Sequence, residues 1–139
     1  MAPTESRLAL VQRLMPLLLE GEDQRLACLR KQWVVSEVEI QSETNWGFYA
    51  DFAVPDGMET VEPPDFAGGN AIIKVDGVKN DAGCILHVKS GRLECLEVYT
   101  YDEPWESPPQ FGAVVQFKPI VPGENAPRQI SDATGGSEA

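Results

Sequence analysis

The chain reads as an α+β domain: two N-terminal helices packed on an antiparallel sheet of about five strands, followed by a flexible C-terminal tail. Three observations predict this. Apolar residues recur at helical spacing up to Trp33. After Trp33 the apolar period drops to two, the signature of strands. Proline, glycine and acid-rich segments then divide the rest into short runs, and helices followed by runs of strands imply α+β. At 139 residues the chain has the size of one domain. Residues 1–121 form that domain, and residues 122–139 have the composition of a flexible acidic tail.

Thr4 is placed to cap the first helix, with Glu5 beside the positive end of its dipole. Leu8, Val11, Met15 and Leu18 follow at helical spacing. Pro16 removes a backbone donor, so a kink or an end near Met15 is expected. Gly21 is a stop, and Asp23 is the N-cap of a second helix with Leu26, Leu29 and Trp33 on one face. Val38 and Ile40 belong to a first strand; Thr44-Asn45-Trp46-Gly47 is a turn. Phe48, Ala50, Phe52 and Val54 form the inward set of the strand that returns as a hairpin. Pro55 to Gly69 is a long surface loop, and Asn70 to Val75 is a short strand.

The strongest β signal runs from Cys84 to Tyr101, around a tight turn at Ser90-Gly91. Pairing Lys89 with Arg92 and continuing without interruption puts Cys84, Leu86, Val88, Leu93, Cys95, Glu97, Tyr99 and Tyr101 on one face. That face is the more apolar and is expected toward the core. Ile85, His87, Lys89, Arg92, Glu94, Leu96, Val98 and Thr100 then face outward. Asp102 to Pro109 is a proline-limited loop, and Ala113 to Phe117 a final edge strand before Pro119 and Pro122.

The formal charge is −11 and unevenly spread. Up to Trp33 there are four acids against five bases; from Val34 to Val121 there are fifteen against five. Such a surface repels nucleic acid and anionic lipid, and speeds encounter with a basic partner. No run approaches the length of a membrane span. Cys28, Cys84 and Cys95 fit no metal-binding spacing, and the odd count points to reduced thiols in a cytoplasm.

Few residues suggest catalysis. His87, the single histidine, falls opposite Glu94 in this register, on a polar face where an exposed cross-strand pair is the ordinary outcome. Glu97, placed inward, must be hydrogen-bonded, shifted or at the open end of the sheet. With Tyr99 and Tyr101 it could line a small polar pocket. Cys84 and Cys95 come out diagonal on one face, too far apart for an easy bridge. Acids between Asp51 and Asp65 lack calcium-loop spacing, and Gly68-Gly69 is not a phosphate loop. Trp46, Trp105 and Glu103 sit in loops, where tryptophans either anchor a partner or pack over a sheet end.

The runs GEDQRLACLRKQ, GFYADFAVP and GCILHVKSGRLECLEVYTYDEPW resemble a family of small bacterial proteins of uncharacterised function. The pattern falls on Leu96, Glu97, Tyr99, Thr100, Tyr101, Glu103, Pro104 and Trp105. The resemblance implies a bacterial cytoplasmic setting and supports the element assignment. It carries no activity and no site residue.

The leading functional expectation is a non-enzymatic protein-binding module. One concrete version is an immunity-type protein masking a basic partner such as a nuclease toxin, through Trp46, Glu103, Trp105, Glu106 and the Glu59–Asp65 loop. The rival is a small-molecule-binding or catalytic domain around Glu97, Tyr99 and Tyr101. No cofactor, metal, nucleic acid or membrane is implied, and a homodimer through an edge strand is a third possibility.

Overall fold

The computed structural model describes residues 3–106, 108–120 and 128–129. Two helices, α1 (Pro3–Leu18) and α2 (Gln24–Val35), precede the strands β1 (Glu37–Gln41), β2 (Gly47–Ala53), β3 (Phe66–Gly68), β4 (Asn70–Val75), β5 (Ala82–Lys89), β6 (Arg92–Thr100), β7 (Phe111–Lys118) and β8 (Arg128–Gln129). All pair antiparallel in one sheet of order β1-β2-β6-β5-β4-β7-β8, with β3 off this path beside β5. The α+β class is as the sequence predicts. The strand count exceeds the expected five, and β7 is flanked by β4 and β8 instead of lying at an edge. The flexible tail expected over residues 122–139 lies outside the described residues, apart from Arg128–Gln129.

α1 begins at Pro3, so Thr4 lies within the helix rather than at its cap. It runs through Pro16 without ending at Met15. Pro16 and Gln12, the residue whose carbonyl loses its donor, both lie on the exposed stripe, within reach of water. Arg7, Leu10, Val11, Leu14, Met15, Leu18 and Leu19 are buried opposite. Asp23 caps α2 as expected, accepting from the Arg25 backbone N–H at 2.8 Å. Arg30 of α2 reaches back to the carbonyls of Leu19 and Gly21, at 2.6 and 3.1 Å. Those bonds satisfy acceptors left open where α1 ends.

One core unites both helices with the sheet. Leu10, Leu14, Leu26 and Leu29 join Phe48, Ala50, Ile73, Cys84, Leu86, Leu96 and Val98 in a single cluster. Gln32, wholly buried, binds three elements together: its Nε2 donates to the carbonyls of Glu59 and Gly91, and its Oε1 accepts from the Leu93 N–H at 2.9 Å. The loop after β2 is pinned by the same knot. Val61 is buried, its N–H donates to the Gly91 carbonyl, and Asp65 accepts from the Ser90 N–H at 2.8 Å. Among the described residues no helix is long and apolar enough to cross a membrane.

Register decides which side chains reach water. The turn at Ser90-Gly91 forms as predicted, both residues having positive φ, and Lys89 pairs with Arg92 and Val88 with Leu93. The register then shifts: His87 pairs with Cys95, Leu86 with Leu96 and Ile85 with Glu97. Glu94 is the extra residue of a β-bulge on β6. Beyond it every side chain of β6 exchanges faces relative to the uninterrupted ladder. Leu96, Val98 and Thr100 are buried, while Cys95, Glu97 and Tyr99 turn outward. Burial of Leu96 and Val98 is worth roughly 1.5–3 kcal/mol each. The alternative ladder would bury the Glu97 carboxylate instead, at a cost of several kcal/mol.

Candidate functional site

The outer face of the sheet is the surface that the bulge creates. On β2, Phe48, Ala50 and Phe52 point inward, leaving Tyr49 and Asp51 outward. Register places Tyr49 opposite Glu97 and Asp51 opposite Cys95. Across β6, Glu97 lies opposite Ile85 and Cys95 opposite His87. Glu37 and Glu39 extend the same face onto β1, opposite Ala53 and Asp51. No helix covers this face among the described residues; Tyr49 and Tyr101 are 39% and 53% exposed.

At the centre stands Glu97. His87 Nε2 lies 3.4 Å from its Oε1, both side chains being about one third exposed. The negative charge of Glu97, then burial, then a hydrogen bond to the same carboxylate, hold the Tyr49 phenol above its ordinary range. Cys95 beside them is pushed up to about 11, by burial first and then by Asp51, Glu94 and Glu97. A thiol so raised is almost wholly protonated at neutral pH and is a poor nucleophile. An open groove of about 570 Å³ is lined by these side chains together with Phe66 and Ala67.

Tyr99 and Tyr101 form a second cluster further along the face. Their rings meet edge to face with centroids 5.5 Å apart. Both hydroxyls lie over Gly83, where a Cβ would strike the Tyr101 hydroxyl and meet that of Tyr99 at 3.0 Å. Burial, reinforced by Tyr101, pushes the Tyr99 phenol up to about 12. Tyr101 also borders a smaller depression of about 280 Å³ with Ile72, Gln116 and Lys118.

Several expectations are corrected by this arrangement. Glu97, Tyr99 and Tyr101 face outward, not into the core; Glu97 lines the open groove and Tyr101 the smaller depression. His87 does face outward, but its partner is Glu97 rather than Glu94. Cys84 is buried in the core and Cys95 is outside, so they occupy opposite faces rather than one. Trp105 is 2% exposed and unavailable to a partner. Its indole N–H donates to the Thr44 carbonyl at 3.1 Å and its ring packs edge-on against Phe111, so it clamps the β1–β2 turn from below.

Trp46, in that turn, is 53% exposed, and its carbonyl accepts from the Thr100 N–H. Glu103 accepts from the Lys79 N–H in a neighbouring loop. Sequence reasoning missed Tyr49 and Arg7. Arg7 is buried with its guanidinium 3.5 Å from Glu43 and about 6 Å from the rings of Phe48 and Trp105. A basic residue in register with the buried stripe of α1 was the available signal.

Among the described residues no group of His, Cys, Asp or Glu is arranged to hold a metal ion. No protein-family model, no curated protein and no solved structure matches this chain.

Proposed function

We propose that the chain is a non-enzymatic protein-binding module that presents the open face of its sheet to a basic partner. The observation that carries this is the composition of that face: Glu37, Glu39, Asp51 and Glu97 interleaved with Tyr49, Tyr99 and Tyr101 and left uncovered by the helices. Tyrosines supply large contact area at low entropic cost, and carboxylates steer a cationic surface toward it. Trp46 stands at the end of the same sheet and extends the contact. An immunity-type role, in which the face masks a basic toxin, is the concrete form of this reading.

Two features weigh against the pocket-centred alternative. The groove is open to solvent, and the raised thiol of Cys95 leaves the His87–Glu97 pair without an activated nucleophile. Tagged protein expressed in a bacterial host should capture a basic protein at low salt and release it as salt rises. Asp51→Lys combined with Glu39→Lys should abolish capture while leaving the fold intact by circular dichroism. Capture indifferent to salt and to this charge reversal would sink the reading.

A further inference from the structure

The groove across β2, β6, β5 and β3 has a chemistry of its own. Its lining includes the carboxylate of Glu97, the ring of Tyr49, and the side chains of His87 and Cys95; Phe66 borders it while packing against the core on the side of Val88. Asp65, Glu94 and Lys89 complete the charged lining, so three carboxylates face one ammonium. Asp65 is already engaged by the Ser90 N–H. Among the described residues the only ion-pair partner of Glu97 is His87, at 3.4 Å; no Lys or Arg bridges it. The half-buried carboxylate therefore keeps acceptor capacity directed at solvent, beside aromatic surface.

We propose that this groove is a subsite for one arginine side chain of the basic partner, with the guanidinium on the Glu97 carboxylate and one flat face against Tyr49. The inference rests on the protein-binding reading above. Arginine fits better than lysine for three reasons. Its fork can donate two parallel bonds to one carboxylate. Its planar, weakly hydrated cation stacks on aromatic rings. The groove, at about 570 Å³, is also wide enough for the whole side chain. The field expected of such a site is registered at its floor, where neighbouring carboxylates add to burial in raising the Cys95 thiol.

Cys95 makes the site testable without a partner, because Cys28 and Cys84 are buried. A cationic trimethylammonium methanethiosulfonate should modify Cys95 roughly tenfold faster, relative to its anionic sulfonate analogue, than it modifies free cysteine. Glu97→Gln should remove most of that preference. In NMR titrations N-acetyl-arginine amide should shift Tyr49, His87 and Cys95 saturably, at roughly millimolar concentration. N-acetyl-citrulline amide, its neutral isostere, should not. Glu39→Gln, outside the groove, should leave the arginine shifts unchanged, and Glu97→Gln should lose them with the rest of the spectrum intact.

Equal shifts from the citrulline probe, or no charge preference at Cys95, would overturn the cation subsite. Equal affinity for N-acetyl-lysine amide would overturn its assignment to arginine. The two readings fail separately. An inert arginine probe, with partner capture surviving Glu97→Gln, removes the subsite alone. Saturable arginine binding, with no charge-dependent capture, removes the docking face as the source of the arginine.

Discussion

Single side chains on this molecule report their surroundings through their protons. Tyr49 is held above its ordinary value of 10.0 chiefly by the charge of Glu97. Glu97→Gln should therefore lower the Tyr49 phenol toward that value, a change followed by NMR of the labelled Cζ carbon across an alkaline titration. No fall would mean that the two groups do not interact in solution. At the other end, bonds from the Arg25 side chain and backbone hold Asp23 down to about 2, from an ordinary 3.8. A carboxyl with a depressed folded pKa contributes stability that is present above its unfolded value and is lost as pH falls through the folded one. Between about pH 4 and pH 2 the urea midpoint should fall, and Asp23→Asn, which keeps a capping oxygen, should flatten that part of the fall. Asp23 and Arg25 are each more than a quarter exposed, so the effect is modest, below about 1 kcal/mol.

Elements are joined at two points where one residue has consequences for many. Gln32 fixes α2 to the β5–β6 turn and to the loop before β3. Gln32→Met keeps the volume but strands the Leu93 N–H and leaves the Glu59 carbonyl only the weak Cys28 thiol as donor, and should cost about 2 kcal/mol in chemical denaturation. Glu94 sets the phase of β6. Deleting it would let Cys95 follow Leu93 directly, giving an uninterrupted ladder that keeps Leu96 and Val98 inward and Glu97 outward. The deletion should therefore be tolerated, costing under about 2 kcal/mol in chemical denaturation, and Glu94→Ala, which keeps the chain length, should change stability by under about 1 kcal/mol.

The hairpin itself, its turn and the Asp23 cap were legible because each is written in local residue types. The bulge was not, since it follows from competition between two burial patterns. Its trace is present all the same: Leu93 and Leu96 are both buried yet stand three apart, which a strand permits only if its alternation slips once. Phe66–Gly68 was likewise read as loop, because a three-residue strand preceded by prolines and followed by Gly69 at φ +72° has no periodicity to show.

At the scale of the whole molecule, charge asymmetry was visible in the sequence and survives folding as an acidic sheet face, but which tryptophan and which tyrosine reach water was not. Trp46 and Trp105 sit in similar loop contexts, and only the folded chain separates them, by carrying one indole under the β1–β2 turn. Electrostatic association predicts that the on-rate for a basic partner falls steeply with ionic strength while the off-rate changes little. Stopped-flow or surface-binding measurements at 20 and 200 mM salt would distinguish this from association driven by apolar contact. The slip at Glu94 has one more consequence, for anyone altering the protein. Downstream of it, odd-numbered positions of β6 belong to the surface and even-numbered ones to the interior, with no residue serving both. The exterior of the sheet can thus be rewritten, at positions such as Tyr49, Asp51, Glu97 and Tyr99, as a panel whose chemistry is independent of the scaffold that holds it up.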